Sequence, residues 1–313
     1  MQSIEAMNRD IHHQIEQLVS LELPSVEENI EDCIFTGSGD SFVASLIGSY
    51  VSSCRAKCCH PMDIVMNPKI VLNRKVFLVS VSGATRATLL AAKMAKRYAQ
   101  RTVSITAKPE SLLGRTSDEL IKVRYKSANV VTAGTVGFTA CVMNCISLMN
   151  KVKLNNLQNT FDEAVDYAES LIHFMVEEPS KYVFLGNGLA FPAALYGSLK
   201  MNEVFGKATF AYNLDDYCHS PIFGIKSNDM IIIMANNEDD VRVSKVIKNR
   251  LSRHNVSVFY ITSTRQNMVK KILKFIFFSQ LYPAKLAMKN GLKDCFFLKN
   301  NDLLRLSSKL IYM

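Results

Sequence analysis

Apolar residues follow two alternating rhythms along the chain. Short, nearly continuous apolar runs, such as KVFLV from Lys75 and MIIIMA from Met230, alternate with stretches where apolar residues recur every three or four positions, as in ATLLAAKMAKRYA from Ala87. The first rhythm is that of a buried strand and the second that of an amphipathic helix. Short turns join them. In FTGSGDSFVAS, Phe35 to Ser45, a strand over Asp32–Thr36 passes through glycines and serines into a helix from Phe42. In KVFLVSVSGATRAT the strand passes through SVSGAT into a helix from about Arg86 to Tyr98, and a third strand, RTVSIT, follows. The second half repeats the order: KYVFLGNGLAFPAALYGSLKMNEVF, then DMIIIMANNEDDVRVSKVIKNRL, then VSVFYIT. Alternating strands and helices predict an α/β protein with parallel sheets covered on both faces, and the repeat predicts two copies of one domain in tandem. The apolar pattern breaks at KVKLNNLQNT, Lys151 to Thr160, so the expected domains are residues 1–150 and 151–313.

Composition adds bounds. With 313 residues and 48% hydrophobic content the chain can bury one large core or two medium ones, and its length favours two domains. The eight cysteines form no defensible pairing pattern, no secretory segment opens the chain, and no apolar run approaches a membrane span. A cytoplasmic protein with reduced thiols and no membrane partner is expected. The net charge of +9 could mean nucleic acid, but Lys and Arg are spread along the chain rather than clustered, and an anionic small molecule fits that charge as well. CRAKCCH, Cys54 to His60, contains zinc-ligand types, but its spacing fits no closed site, and no metal or cofactor is expected.

The Gly/Ser turns are where chemistry is expected. Glycine lets the backbone take positive φ or approach a ligand, and the first amides of the following helix favour an anion. The dinucleotide fingerprint would need glycine at Phe42, and the P-loop lysine is missing, so both nucleotide readings weaken. In open α/β sheets ligands bind at the carboxyl ends of strands, where these turns fall.

Taken in order, GSGDS, SVSGATRAT, GNGLAFPAALYGSLKMNE and DDYCHSP resemble the double sugar isomerase (SIS) family. The similarity is greatest to the isomerase half of glucosamine-6-phosphate synthase and to related aminosugar-phosphate deaminases and phosphosugar isomerases. It runs from MNRDIHHQ, like the family's leading helix, to Lys309. The resemblance implies two tandem SIS domains, each a parallel-sheet α/β sandwich of flavodoxin-like type. The synthase's glutaminase half has no counterpart here, so glutamine is not expected as nitrogen donor.

The resemblance also implies roles. Ser41, Ser80, Ser82 and Thr85 would hold a phosphate, with Ser38, Val81, Gly83 and Lys200 as further substrate contacts. The family's Gln stands as Val81 and its Glu as Ala84, changes that keep the backbone donors. Glu203 matches the base that moves a proton between carbons 1 and 2, and partial shielding from water would raise its pKa toward neutrality. His219 matches the ring-opening histidine, contributed in relatives by the neighbouring subunit, which implies a homodimer with a shared site. Lys309 follows Asp302 and Arg305 at the spacing of the synthase's Schiff-base lysine, although Leu304 and Ser307 depart from the pattern. Asn129 and Val136 stand where the family has Glu and Lys. The expected function is phosphosugar isomerisation or aminosugar-phosphate deamination on a glucosamine 6-phosphate or fructose 6-phosphate type of substrate. A sugar-phosphate sensor without turnover is the alternative, and nucleic-acid binding rests on charge alone.

Overall fold

The structure is a computed structural model and describes residues 1–175 and 177–312. In chain order its elements are α1 (Ser3–Val19), β1 (Cys33–Gly37), α2 (Asp40–Val51), β2 (Lys57–Cys59), α3 (Pro61–Met66), β3 (Lys75–Val79) and α4 (Arg86–Tyr98). Then come β4 (Arg101–Thr106), α5 (Leu112–Thr116), β5 (Glu119–Lys122), α6 (Val136–Met149), α7 (Leu157–Phe174), β6 (Tyr182–Gly186), α8 (Ala190–Phe205), β7 (Thr209–Asn213) and α9 (Leu214–His219). The last are β8 (Met230–Ala235), α10 (Glu238–Leu251), β9 (Ser257–Thr262), α11 (Met268–Lys289), α12 (Phe296–Lys299) and α13 (Asn301–Tyr312).

Two all-parallel sheets result, ordered β2-β1-β3-β4-β5 and β7-β6-β8-β9. The α/β alternation read from the sequence is therefore present in both halves. Parallel strands covered on both faces need apolar residues at every position, and β1, β6 and β8 are buried along their whole length. Helix α4 turns Thr88, Ala91, Ala92 and Ala95 inward, and the three alanines pack with Ile34, Val76 and Leu78. All fourteen residues of α6 are buried, which explains its lack of amphipathic rhythm.

Three edge strands escape the sequence reading: KCC of β2, ELIK of β5 and TFAYN of β7. They are short and partly exposed, so neither periodicity nor apolar content marks them.

The contacts group into two compact units, each built on one sheet. The β1–β5 unit holds Glu16–Ser127, Gly134–Lys153 and the segment from Asn300 onward; the β6–β9 unit holds Met1–Ile15, Ala128–Ala133 and Leu154–Lys299. This is not a single cut of the chain. The start of α1 joins the β6–β9 unit because Ile4 N donates to Lys293 O (3.2 Å) and Ser3 N to Asp294 Oδ1 (2.9 Å), while α13 joins the other unit by packing on α4.

Candidate functional site

The β1–β5 sheet changes winding direction between β1 and β3, and there the two Gly/Ser turns stand side by side, with Gly37 opposite Val79. A Cβ on Gly37 would lie 2.7 Å from Ser41 O and 2.9 Å from Val79 O, so only glycine allows this approach. Gly83 has φ +62°, and a Cβ there would collide with Ser111 Oγ and Cβ. Leu113 N donates to Gly83 O (3.2 Å), while Ala107 N and Thr106 Oγ1 both donate to Val81 O (3.2 Å). The turn is thus tied to β4 and α5.

The serines shape the turn rather than cap the helix. Ser80 Oγ, buried, accepts from Gly83 N (3.1 Å) and lies 3.3 Å from Thr85 Oγ1. Half-buried Ser82 accepts from Ala84 N (3.3 Å). Thr85 occupies the N-cap position of α4 without a side-chain cap bond. The first amides of α4 are therefore held by no capping side chain, the condition under which a helix start serves as an anion site. Ser38 and Ser41 are half-buried across from this turn, and exposed Arg86 adds positive charge on the first turn of α4.

The β6–β9 unit repeats this layout and fills it differently. Gly186-Asn187-Gly188 matches Gly37-Ser38-Gly39, with φ +51° at Gly188 and +57° at Gly39. Here Asp240, buried on the first turn of α10, accepts from Asn187 Nδ2 (3.0 Å), Asn237 Nδ2 (3.0 Å) and Asn236 N (3.3 Å). The strand-end position is occupied by the chain's own carboxylate. In the sequence nothing marks Asp240 beyond the NNEDD run after β8.

Glu203 and Lys200 lie one turn apart on α8 in the β6–β9 unit, and Lys200 Nζ donates to Glu203 Oε2 at 2.6 Å. Lys200 is wholly buried, its ammonium 5.1 Å from the Tyr196 ring centre, and the Glu203 side chain is 36% exposed. Buried Cys295 neighbours both charges. Burial pushes its thiol up, and bonds from Ala133 N and Ser3 oppose that. Nothing in the sequence pointed to Cys295.

His219 stands exposed at the last turn of α9, and Lys309 is exposed on α13, a helix with no buried residue. Asn129 adopts positive φ in the segment between β5 and α6, and Val136 opens buried α6. In the Cys54–His60 cluster burial raises the Cys58 and Cys59 thiols, Cys59 to about 11, and the His60 ring stacks on Phe42 at 3.8 Å. Among the described residues no group of three His, Cys, Asp or Glu side chains is arranged to hold a metal ion, and no helix is long and apolar enough to cross a membrane.

No protein-family profile matches the chain. Among curated proteins it is 26% identical over 276 residues to the isomerising glutamine–fructose-6-phosphate aminotransferase of Clostridium tetani, covering 80% of this chain and 45% of that protein. It is 28% identical to the Neisseria meningitidis protein of the same name, covering 68% and 39%. The chain spans less than half the length of these relatives. Its fold matches glucosamine-6-phosphate deaminase from Thermotoga maritima with a TM-score of 0.76 at 20% identity, covering 92% of this chain and 96% of that one. The chain resembles the SIS proteins and shares their fold. Another SIS neighbour is the C-terminal domain of glucosamine-fructose-6-phosphate aminotransferase from Francisella tularensis, with a TM-score of 0.73 at 19% identity over 93% and 96% of the two chains. The double-sheet architecture expected of that family is what β1–β5 and β6–β9 form.

Proposed function

We propose that this protein binds a sugar phosphate and acts as a phosphosugar isomerase or aminosugar-phosphate deaminase, with glucosamine 6-phosphate or fructose 6-phosphate as the type of substrate. The observation that carries this reading is the uncapped start of α4 beside a turn whose backbone and hydroxyls face one switch point. A phosphoester offers three acceptor oxygens and nearly two charges, and this arrangement supplies matching donors. Ser41, Ser80, Ser82 and Thr85 hold the phosphate in this reading, with Ser38, Val81, Gly83 and Lys200 as further contacts. Glu203 moves the proton between carbons 1 and 2, His219 opens the ring, and Lys309 forms the Schiff base with a keto sugar. Exposed His219 fits a residue offered to a second copy, so the proposed assembly is a homodimer with a shared site.

The activities for which the similar proteins are named support this class of reaction, since they include an aminotransferase, a deaminase and a ketose/aldose isomerase. A second reading, a sensor without turnover, draws on exposed Lys309 and on neutral Asn129 and Val136. Purified protein incubated with glucosamine 6-phosphate, followed for ammonia and fructose 6-phosphate, separates them. Ammonia that disappears in Glu203→Gln establishes a deaminase, and ketose from glucose 6-phosphate alone establishes an isomerase. Thermal stabilisation by both sugars without turnover of either selects the sensor.

A further inference from the structure

Among the described residues, two buried hydroxyls of the β1–β5 unit have no hydrogen-bond partner: Thr36 Oγ1 and Thr88 Oγ1. A buried hydroxyl left unbonded is costly, and native proteins keep few of them. Both stand at one place in the fold. Thr36 lies two residues beyond Ile34 on β1 and so shares its face, and Ile34 packs with Leu78, Ala91 and Ala92. Thr88 lies one turn before Ala91 and Ala92 on the buried stripe of α4. The two hydroxyls therefore end the layer between the sheet and α4, with the apolar cluster on one side and the Ser38–Ser41 and Ser80–Thr85 turns on the other.

The β6–β9 unit shows where a side chain at this position reaches. Within their own sheet, β8 and α10 occupy the places that β3 and α4 occupy in theirs. Asp240 is the third residue of α10, as Thr88 is the third of α4, and its carboxylate meets Asn187 and Asn237 in the strand-end turns. One unit thus places an anion there, surrounded by donors. The other places a hydroxyl donor that lacks an acceptor.

We propose that Thr88, with Thr36, belongs to the anion site, and that these hydroxyls take their missing partner from the phosphate of the bound sugar. This rests on the reading of the turns as a sugar-phosphate site. It makes the site deeper than the serines that the motifs mark, and the unbonded hydroxyls are then groups kept for the ligand.

The test compares the full chain with Thr88→Val, Thr36→Val, Thr88→Ser and Ser80→Ala, using inorganic phosphate and glucosamine 6-phosphate as probes and reading both melting temperature and affinity. Valine nearly keeps the shape of threonine and removes the hydroxyl. The expected result is an affinity about tenfold weaker in Thr88→Val, with an unliganded melting temperature unchanged or raised, and near-normal binding in Thr88→Ser. Thr36→Val is expected to change in the same direction. Undiminished binding in both valine variants, while the unaltered chain binds and Ser80→Ala does not, overturns the proposal and leaves the sugar-phosphate reading intact. A fall in unliganded stability or a failure to fold in both valine variants overturns it too, since the hydroxyls would then serve the fold. If the unaltered chain binds neither probe, the sugar-phosphate reading itself fails and takes the proposal with it.

Discussion

Lys200 and Glu203 form an ion pair of unequal burial: Nζ and Oε2 are 2.6 Å apart, yet the lysine is wholly buried while the carboxylate is about one-third exposed. The two halves of the pair should respond differently to substitution. Glu203→Gln leaves a buried ammonium facing a neutral amide and should cost about 2–4 kcal/mol. Lys200→Met removes the buried charge and leaves Glu203 able to turn toward water, so its cost should be smaller, about 1–2 kcal/mol. Denaturant unfolding of the two variants checks the order. Equal losses would mean that water screens both partners alike.

Asp118 predicts a pH effect. Lys96 and Thr102 hold its carboxyl down to about 2, from an ordinary 3.8, through bonds from Lys96 Nζ, Thr102 N (2.8 Å) and Thr102 Oγ1 (2.7 Å). A lowered native pKa contributes stability above the unfolded value and loses it as pH falls from about 4 to about 2. Asp118 is partly exposed, so solvent screening limits the gain to about 1 kcal/mol. Asp118→Asn should be less stable at neutral pH, and the difference should vanish near pH 2. Thermal melts across that range measure it.

Two glycines of similar positive φ should differ in tolerance because the space around them differs. At Gly83 (φ +62°) an added methyl meets Ser111 side-chain atoms, with Oγ nearest, whereas at Gly39 (φ +57°) it meets nothing within 4 Å. Gly39 combines φ +57° with ψ −129°, a conformation essentially confined to glycine, so Gly39→Ala should cost about 1–3 kcal/mol of backbone strain alone. Gly83→Ala adds the displacement of Ser111 to its own positive φ, so a loss above about 3 kcal/mol is expected, together with loss of phosphate affinity. Melting temperature and phosphate titration of the two variants decide it.

The eight cysteines are all free, and only Cys54 and Cys218 are exposed. Burial pushes Cys33 and Cys141 up to about 12. Thiolate is the reactive form, so buried thiols with raised pKa values are slow. A thiol reagent at neutral pH should therefore modify Cys54 first, then exposed Cys218, whose thiol partial burial also pushes up, and the remaining six only on unfolding. Rapid reaction of Cys58 or Cys59 would show that the segment around β2 opens readily.

The central strands and both glycine turns were legible because parallel strands buried on two faces must be apolar throughout, and turns at strand ends need glycine where Gly37 and Gly83 stand. The predicted helix Arg86–Tyr98 is α4 itself. Which sheet a terminal helix covers was not legible. The amphipathic pattern of α1 says that one face is buried, and only the bonds from Ser3 and Ile4 to Asp294 and Lys293 say against what. The motif marked Glu203 and Lys200 as neighbours on a helix, since three residues make one turn. It could not mark Thr36, Thr88, Asp240 or Cys295, because their interest lies in partners that are missing or supplied from distant parts of the sequence.

Two similar sheets invite the expectation of two equivalents of ligand per chain. Asp240 changes that count. In the β6–β9 unit the place at the switch point is taken by a tethered carboxylate at an effective concentration that free phosphate does not approach, so titration should saturate at one anion per chain. The asymmetry extends to stability, since a ligand strengthens only the state that binds it. Phosphate should slow backbone hydrogen exchange around β1, β3 and α4 while leaving the turns after β6 and β8 as they were. On the proposed reading, a duplicated architecture has in this way become one half that waits for its anion and one that carries its own.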